Sequence, residues 1–161
     1  MQSILDLCHD MATVHVKPGD ILLKEGETSG KLYFLIEGQV EILKDDYQID
    51  VVSEPGAMFG EISVLLGIPH MATVRATAET GLYLTENGGE FLLDHREITY
   101  QLSKMLAQRL HGVTTYLVDL KRQFEDRENH LGMVDEVLET LVHQQLEDFT
   151  PGSDRDPDLK I

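Results

Sequence analysis

Turn-forming residues fall at nearly regular steps through the first third of the chain. Pro18-Gly19, Gly26, Gly30, Gly38, Asp45-Asp46 and Pro55-Gly56 punctuate short apolar runs: ATVHV (12–16), DILLKEG (20–26), KLYFLIEG (31–38), QVEILKDD (39–46) and YQIDVVSEPG (47–56). Several of these runs alternate apolar and polar positions, the period of a half-buried strand. Turn signals at this spacing point to an antiparallel sandwich or barrel rather than a βαβ sheet. Residues 3–10 fit a short helix, and EISVLLG (61–67) reads as a helical turn inserted among the strands. Strand character resumes in ATVRATAE (72–79) and GLYLTEN (81–87).

The pattern becomes helical near residue 88, beginning with FLLDHREITYQLSKMLAQRL. Leu106, Leu110, Val113, Leu117, Leu120 and Phe124 step by four and three residues, the seam of a coiled coil. The same phase reaches Leu131, Val134, Leu138 and Leu141, interrupted by Arg127, Asn129 and Gly132. A break and a second helix over about 133–147 are therefore expected. The closing PGSDRDPDLKI has loop composition.

Charge and composition exclude several functions. The 161 residues carry 29 acids against 13 bases, a net of −16, which repels nucleic acid phosphates and anionic membranes. The single cysteine, Cys8, cannot close an internal disulfide, so a reducing cytoplasm is the expected location. The N-terminus lacks the features of a signal peptide, and no stretch of about eighteen apolar residues suggests a membrane span. The seven histidines stand at 9, 15, 70, 95, 111, 130 and 143, without the spacing of a metal clamp, so no metal is expected. No Gly-x-Ser-x-Gly or cysteine-nucleophile signature is present, and the chain is not expected to be an enzyme.

FGEISVLLGIPHMATVRA (59–76) is the segment richest in chemistry. Gly60 at the mouth of a short helix lets backbone N–H groups approach an anion. Glu61 beside it can accept from a sugar hydroxyl, and the Pro-x-x-Ala-Thr strand can line a second wall. A plain helix start, with Glu61 favoured by the helix dipole, accounts for the same residues equally well.

Residues of about 11–125 resemble the cyclic nucleotide-binding domains of the catabolite-activator and protein kinase A regulatory-subunit type. The resemblance is carried by VKPGDILLKEGETSGKLYFLIEGQVEIL, by PGAMFGEISVLLGIPHMATVRA, by glycines 19, 26, 38, 56 and 60, and by the long helix that follows. It implies an α+β fold: an antiparallel β jelly-roll barrel with flanking short helices and a long C-terminal helical segment. The implied division is a jelly-roll domain with its N-terminal helix over 1–95 and a dimerisation helix over 96–126. A hinge with a short helix over 127–148 and an acidic tail over 149–161 follow. The ligand would be cAMP or cGMP, with no cofactor required. The implied binding residues are Phe59, Gly60, Glu61, Ile62, Ser63, His70, Met71, Ala72 and Thr73. In that set Gly60 meets the cyclic phosphate, Glu61 takes the ribose 2′-hydroxyl, and Ala72 and Thr73 line the wall. Thr114 or Thr115 on the long helix would reach the base.

The departure is at Pro69-His70-Met71. The family usually has arginine where this chain has His70, and a small or hydroxyl residue where it has Met71. Arginine supplies a fixed planar charge and paired donors, whereas histidine is mostly neutral at pH 7. A hydrogen bond to a charged group is worth about 1.5–3 kcal/mol, so its loss weakens binding about ten- to hundredfold. Three readings follow: a sensor with weakened or pH-dependent cyclic nucleotide affinity, a pocket retuned for another small ligand, or a ligand-free dimerisation scaffold.

The output is expected to be association. Residues 125–161 hold eleven acids and three bases, a poor phosphate-binding surface, so no DNA contact is expected. The seam of Leu106, Leu110, Val113, Leu117, Leu120 and Phe124 predicts a parallel homodimer, with Gly112 permitting close helix approach. The helix near 133–147 either folds back or docks on a protein partner of unknown identity, so the chain would act in trans.

Overall fold

The computed structural model describes residues 3–124 and 131–143 of the 161. Two compact units divide at Leu102 and Ser103, and each is described by itself. The first holds α1 (Ile4–Leu7), β1 (Ala12–Val16), β2 (Ile21–Leu23), β3 (Leu32–Glu37), β4 (Val40–Lys44), β5 (Tyr47–Val52) and β6 (Met58–Phe59). It continues with α2 (Glu61–Leu66), β7 (Thr73–Ala76), β8 (Thr80–Thr85), α3 (Gly88–Asp94) and the start of α4 (Arg96–Gln123). The strands form two four-stranded antiparallel sheets, ordered β1-β8-β3-β6 and β2-β7-β4-β5. The fold is thus α+β, with antiparallel sheets and helices, as the turn spacing and the resemblance predict.

The alternation of side chains along each strand builds the core between the sheets. Leu22, Leu23, Tyr33, Leu35, Val40, Phe59, Val74 and Leu82 form one buried cluster. β3 departs from simple alternation, since Leu32, Tyr33, Phe34 and Leu35 are all buried. The reason is that both of its faces are covered. Tyr33 and Leu35 enter the inter-sheet core, while Phe34 meets Phe91 of α3 with ring centroids 5.8 Å apart.

Two local features were not anticipated from the sequence. β6 is only two residues long, too short to display a period, and is defined by its pairing of Met58 and Phe59 with Phe34 and Tyr33. The helical pattern after residue 88 is also two helices rather than one. Asn87 caps α3 by accepting from the Glu90 N–H, and the α3–α4 break falls at His95, whose Nδ1 bonds the Phe91 carbonyl at 2.7 Å.

In the second unit α5 (Leu131–His143) follows the rest of α4. Lys121 of α4 is ion-paired with Asp135 of α5. A continuous helix would separate these residues by about 21 Å, beyond the reach of their side chains. α5 is therefore not a straight continuation of α4. Thr114, Leu117, Val118 and Lys121, and Val134, Val137, Leu138 and Leu141, are half-buried. Residues 125–126 of the expected dimerisation helix, 127–130 and 144–148 of the expected hinge and second helix, and the tail from 149 lie outside the described residues. No helix among the described residues is long and apolar enough to cross a membrane.

Gly38, in the turn between β3 and β4, has a φ of 99°. A Cβ there would stand 2.5 Å from both the Glu79 carbonyl oxygen and the Thr80 hydroxyl. Strain at positive φ alone costs about 1–3 kcal/mol. Gly38→Ala is therefore expected to lower unfolding stability by more than about 2 kcal/mol in urea denaturation. A change near zero would contradict this packing.

Candidate functional site

The expected binding residues of the first unit come from two short segments on either side of α2. β6 delivers Phe59, buried and paired with Tyr33. Gly60 caps α2 with a φ of 94°, a left-handed conformation that glycine adopts without strain. Space imposes the same choice, because a Cβ on Gly60 would lie 2.4 Å from the Lys31 carbonyl oxygen. Glu61 and Ser63 are buried and Ile62 is half-buried. The Ser63 hydroxyl donates to the Ile68 carbonyl at 2.5 Å, tying the end of α2 to its start. Leu23 links the two segments, since it pairs with Val74 of β7 and its Cδ1 is 3.4 Å from the Cβ position of Gly60.

The second segment, His70 to Thr73, is stitched to the loop that follows β2. Gly26 N–H donates to the His70 carbonyl and His70 N–H donates to the Glu27 carbonyl, both at 2.9 Å. The imidazole is buried at 4% exposure, and its Nε2 is 2.7 Å from the Ser29 hydroxyl. Burial pushes the His70 pKa below its ordinary 6.5, partly opposed by the nearby Glu27 carboxylate. The ring is therefore mainly neutral at pH 7, and one of its two nitrogens is engaged by Ser29. Met71 is 53% exposed, and its carbonyl accepts from Lys44 Nζ at 2.8 Å. Ala72 is half-buried, and the Thr73 hydroxyl accepts from the Glu25 N–H at 3.0 Å.

Cations of the surrounding loops and strands are matched to carboxylates. Lys44 binds Glu25 at 2.7 Å, Arg75 binds Glu41 at 2.5 Å, Lys24 meets Glu27 at 3.7 Å and Lys31 meets Glu86 at 3.9 Å. The Glu25 carboxyl is held below its ordinary range by Lys44, then by the Asp45 N–H. Glu41 is held low by Gln48 and then Arg75. Sequence reasoning missed Glu25, Ser29 and Lys44. Nothing local marks them, because each acts on residues 27 to 48 positions away.

Thr114 and Thr115 lie on α4 within the second unit. Thr115 is exposed and donates its hydroxyl to the His111 carbonyl at 2.9 Å, a turn earlier. Of the expected seam, Leu110, Val113 and Phe124 are exposed, while Leu106, Leu117 and Leu120 are half-buried.

Residues 13–88 match the family model of the cyclic nucleotide-binding domain. Over 71 residues the chain is 37% identical to an uncharacterized ABC transporter ATP-binding protein of Mycobacterium tuberculosis, covering 42% of this chain and 22% of that protein. It is 31% identical over 67 residues to a cyclic nucleotide-gated potassium channel of Rhizobium etli, covering 42% of this chain and 18% of the channel. The chain thus spans about a fifth of the length of these curated relatives. Among solved structures it is similar to the N-terminal domain of a transcriptional regulator from Streptomyces coelicolor A3(2), with a TM-score of 0.51 and 28% identity. That match covers 68% of this chain and 82% of the other.

The depressed His70 pKa sets a pH window. The unfolded chain binds this proton more tightly than the folded one, so stability is full above about pH 6.5 and falls as pH drops below it. The Glu25 and Glu41 carboxylates act lower, below their ordinary 4.5. His70→Gln is expected to flatten the decline that sets in below about pH 6.5 in denaturation midpoints. Parallel declines in both proteins would contradict the assignment.

Proposed function

We propose that this chain, whose residues 13–88 belong to the cyclic nucleotide-binding domain family, is a regulatory sensor module with lowered affinity for cAMP and cGMP. Gly60 and the adjoining N–H groups receive the cyclic phosphate, Glu61 takes the ribose 2′-hydroxyl, and Ala72 and Thr73 form the facing wall. Phe59, Ile62 and Ser63 hold the short helix in place. Occupancy is passed on in trans through the C-terminal helical segment, by which two copies associate.

The observation that carries the lowered affinity is the state of His70. Its imidazole is neutral by burial and bonded to Ser29. A phosphate at Gly60 therefore lacks the planar cation that arginine would provide. The neighbouring cations do not replace it, because Lys24, Lys31, Lys44 and Arg75 already face carboxylates. One missing charge-assisted hydrogen bond corresponds to about a ten- to hundredfold weaker complex. Met71, more than half exposed at the same edge, adds bulk where the family has a small residue.

Calorimetric titration of the natural protein and of His70→Arg with cAMP and with cGMP tests this. The natural protein is expected to bind weakly, and His70→Arg about ten- to hundredfold more tightly. Absence of binding by both proteins at millimolar nucleotide would remove the sensor reading. Equal affinities would remove the role given to His70.

A further inference from the structure

One row across the sheet β2-β7-β4-β5 breaks the apolar pattern of its face. Leu23 pairs with Val74, Val74 with Ile42 and Ile42 with Asp50, so these four side chains stand on one side of the sheet. Leu23 and Val74 belong to the buried cluster and Ile42 packs against it, so that side is the inner one. The neighbouring rung has the same phase, because Val40 and Val52 pair and both belong to the inner side. Glu41 and Arg75 lie one residue off on their strands and bond each other on the outer face. Asp50 is therefore an acid at the end of an otherwise apolar inner row.

Burial falls along this row. Leu23 and Val74 are 4% and 5% exposed, Ile42 is half-buried and Asp50 is exposed. The inner face thus closes at β2 and opens to solvent at β5. Its closed end adjoins the candidate site, since Leu23 Cδ1 lies 3.4 Å from the Cβ position of Gly60. Three strand-to-strand steps, about 14 Å, separate Leu23 from Asp50, room enough for a nucleotide laid along the face. Asp50 Oδ1 accepts from the Val51 N–H at 2.8 Å, and a carboxylate oxygen has a second lone pair to offer. Among the described residues no cation pairs with Asp50. Lys44 of β4 and Arg75 of β7 are taken by Glu25 and Glu41.

We infer that Asp50 reads the base of the bound nucleotide and selects guanine over adenine, so that cGMP is the preferred ligand. This rests on the sensor reading above and narrows its ligand. With the phosphate at Gly60 and the sugar along the inner face, the far edge of the base is turned toward β5. An ionised carboxylate only accepts hydrogen bonds. Guanine presents two adjacent donors on one edge, N1–H and the 2-amino group, which match the two oxygens. Adenine presents its N1 lone pair beside the 6-amino group, so one carboxylate oxygen faces another acceptor. A site built to hydrogen-bond a ligand group rejects an analogue that lacks it far more sharply than an apolar pocket does.

Calorimetric titration of the full chain, Asp50→Ala and Asp50→Asn with cGMP, cIMP and cAMP tests this. cIMP keeps the N1–H of guanine and lacks the 2-amino group. The natural protein is expected to bind cGMP about ten- to hundredfold more tightly than cAMP, with cIMP between them. Asp50→Ala is expected to lose most of that preference by weakening cGMP, with cAMP little changed. Asp50→Asn, whose amide offers one acceptor and one donor side, is expected to move the preference toward cAMP. Equal weakening of all three nucleotides by Asp50→Ala, or a natural protein that prefers cAMP, overturns the assignment of Asp50 and leaves the sensor reading standing. Absence of binding by every nucleotide at millimolar concentration removes the sensor reading and the role of Asp50 with it.

Discussion

The backbone exchange between His70 and the Gly26–Glu27 turn is the contact on which the candidate site depends. It extends the pairing of β2 with β7 beyond Leu23 and Val74, so a loop of the first half of the domain becomes continuous with a strand of the second. The sequence separation is over forty residues, and closing such a loop carries a substantial entropic cost that later contacts must offset. The contacts that do so are gathered along the same seam: Ser29 on the ring of His70, Lys44 on the Met71 carbonyl, and the Thr73 hydroxyl under the Glu25 N–H. Each net hydrogen bond is worth about 1 kcal/mol, and the low dielectric around a buried ring strengthens its own.

That seam has a chemical consequence. A side chain at position 70 that is buried and bonded to Ser29 cannot at the same time be a freely presented cation. The same geometry that secures the segment thus leaves position 70 without a positive charge at pH 7. Glu25 and Glu41 complete the neutralisation by taking Lys44 and Arg75. The left-handed φ of Gly60 and its closeness to the Lys31 carbonyl preserve the backbone approach that an anion uses. In the proposed site Gly60 thus keeps an open backbone approach, while position 70 carries a neutral ring in place of the arginine of the family pattern.

The strands were legible because turn residues and period-two alternation are local signals. The observed β1, β4 and β5 begin within a residue of the expected runs, and α2 falls on the expected EISVLLG. β6 was not legible, since two residues carry no period and only pairing with β3 defines it. The long helix was expected from 96, where α4 begins, whereas the short α3 before it was not separated from it; the stacking of His95 on Phe91 at 3.9 Å is a property of the folded turn. The segment 59–76 stood out in the sequence through Gly60, Glu61 and Ala72-Thr73. The direction of the His70 ring was not, because it is decided by Ser29, 41 residues earlier. The leucine seam of α4 was equally visible, but a heptad does not say whether its partner is another chain or the next helix; Leu106, Leu117 and Leu120 are half-buried and Leu110, Val113 and Phe124 exposed.

The proposed lowering of nucleotide affinity rests on the state of the His70 imidazole. A nitrogen-detected NMR titration of that side chain measures it directly. The account predicts a neutral ring at pH 7, with Nε2 in a hydrogen bond and a titration midpoint below the ordinary 6.5. A ring that is protonated at pH 7, with its midpoint above that value, would contradict it.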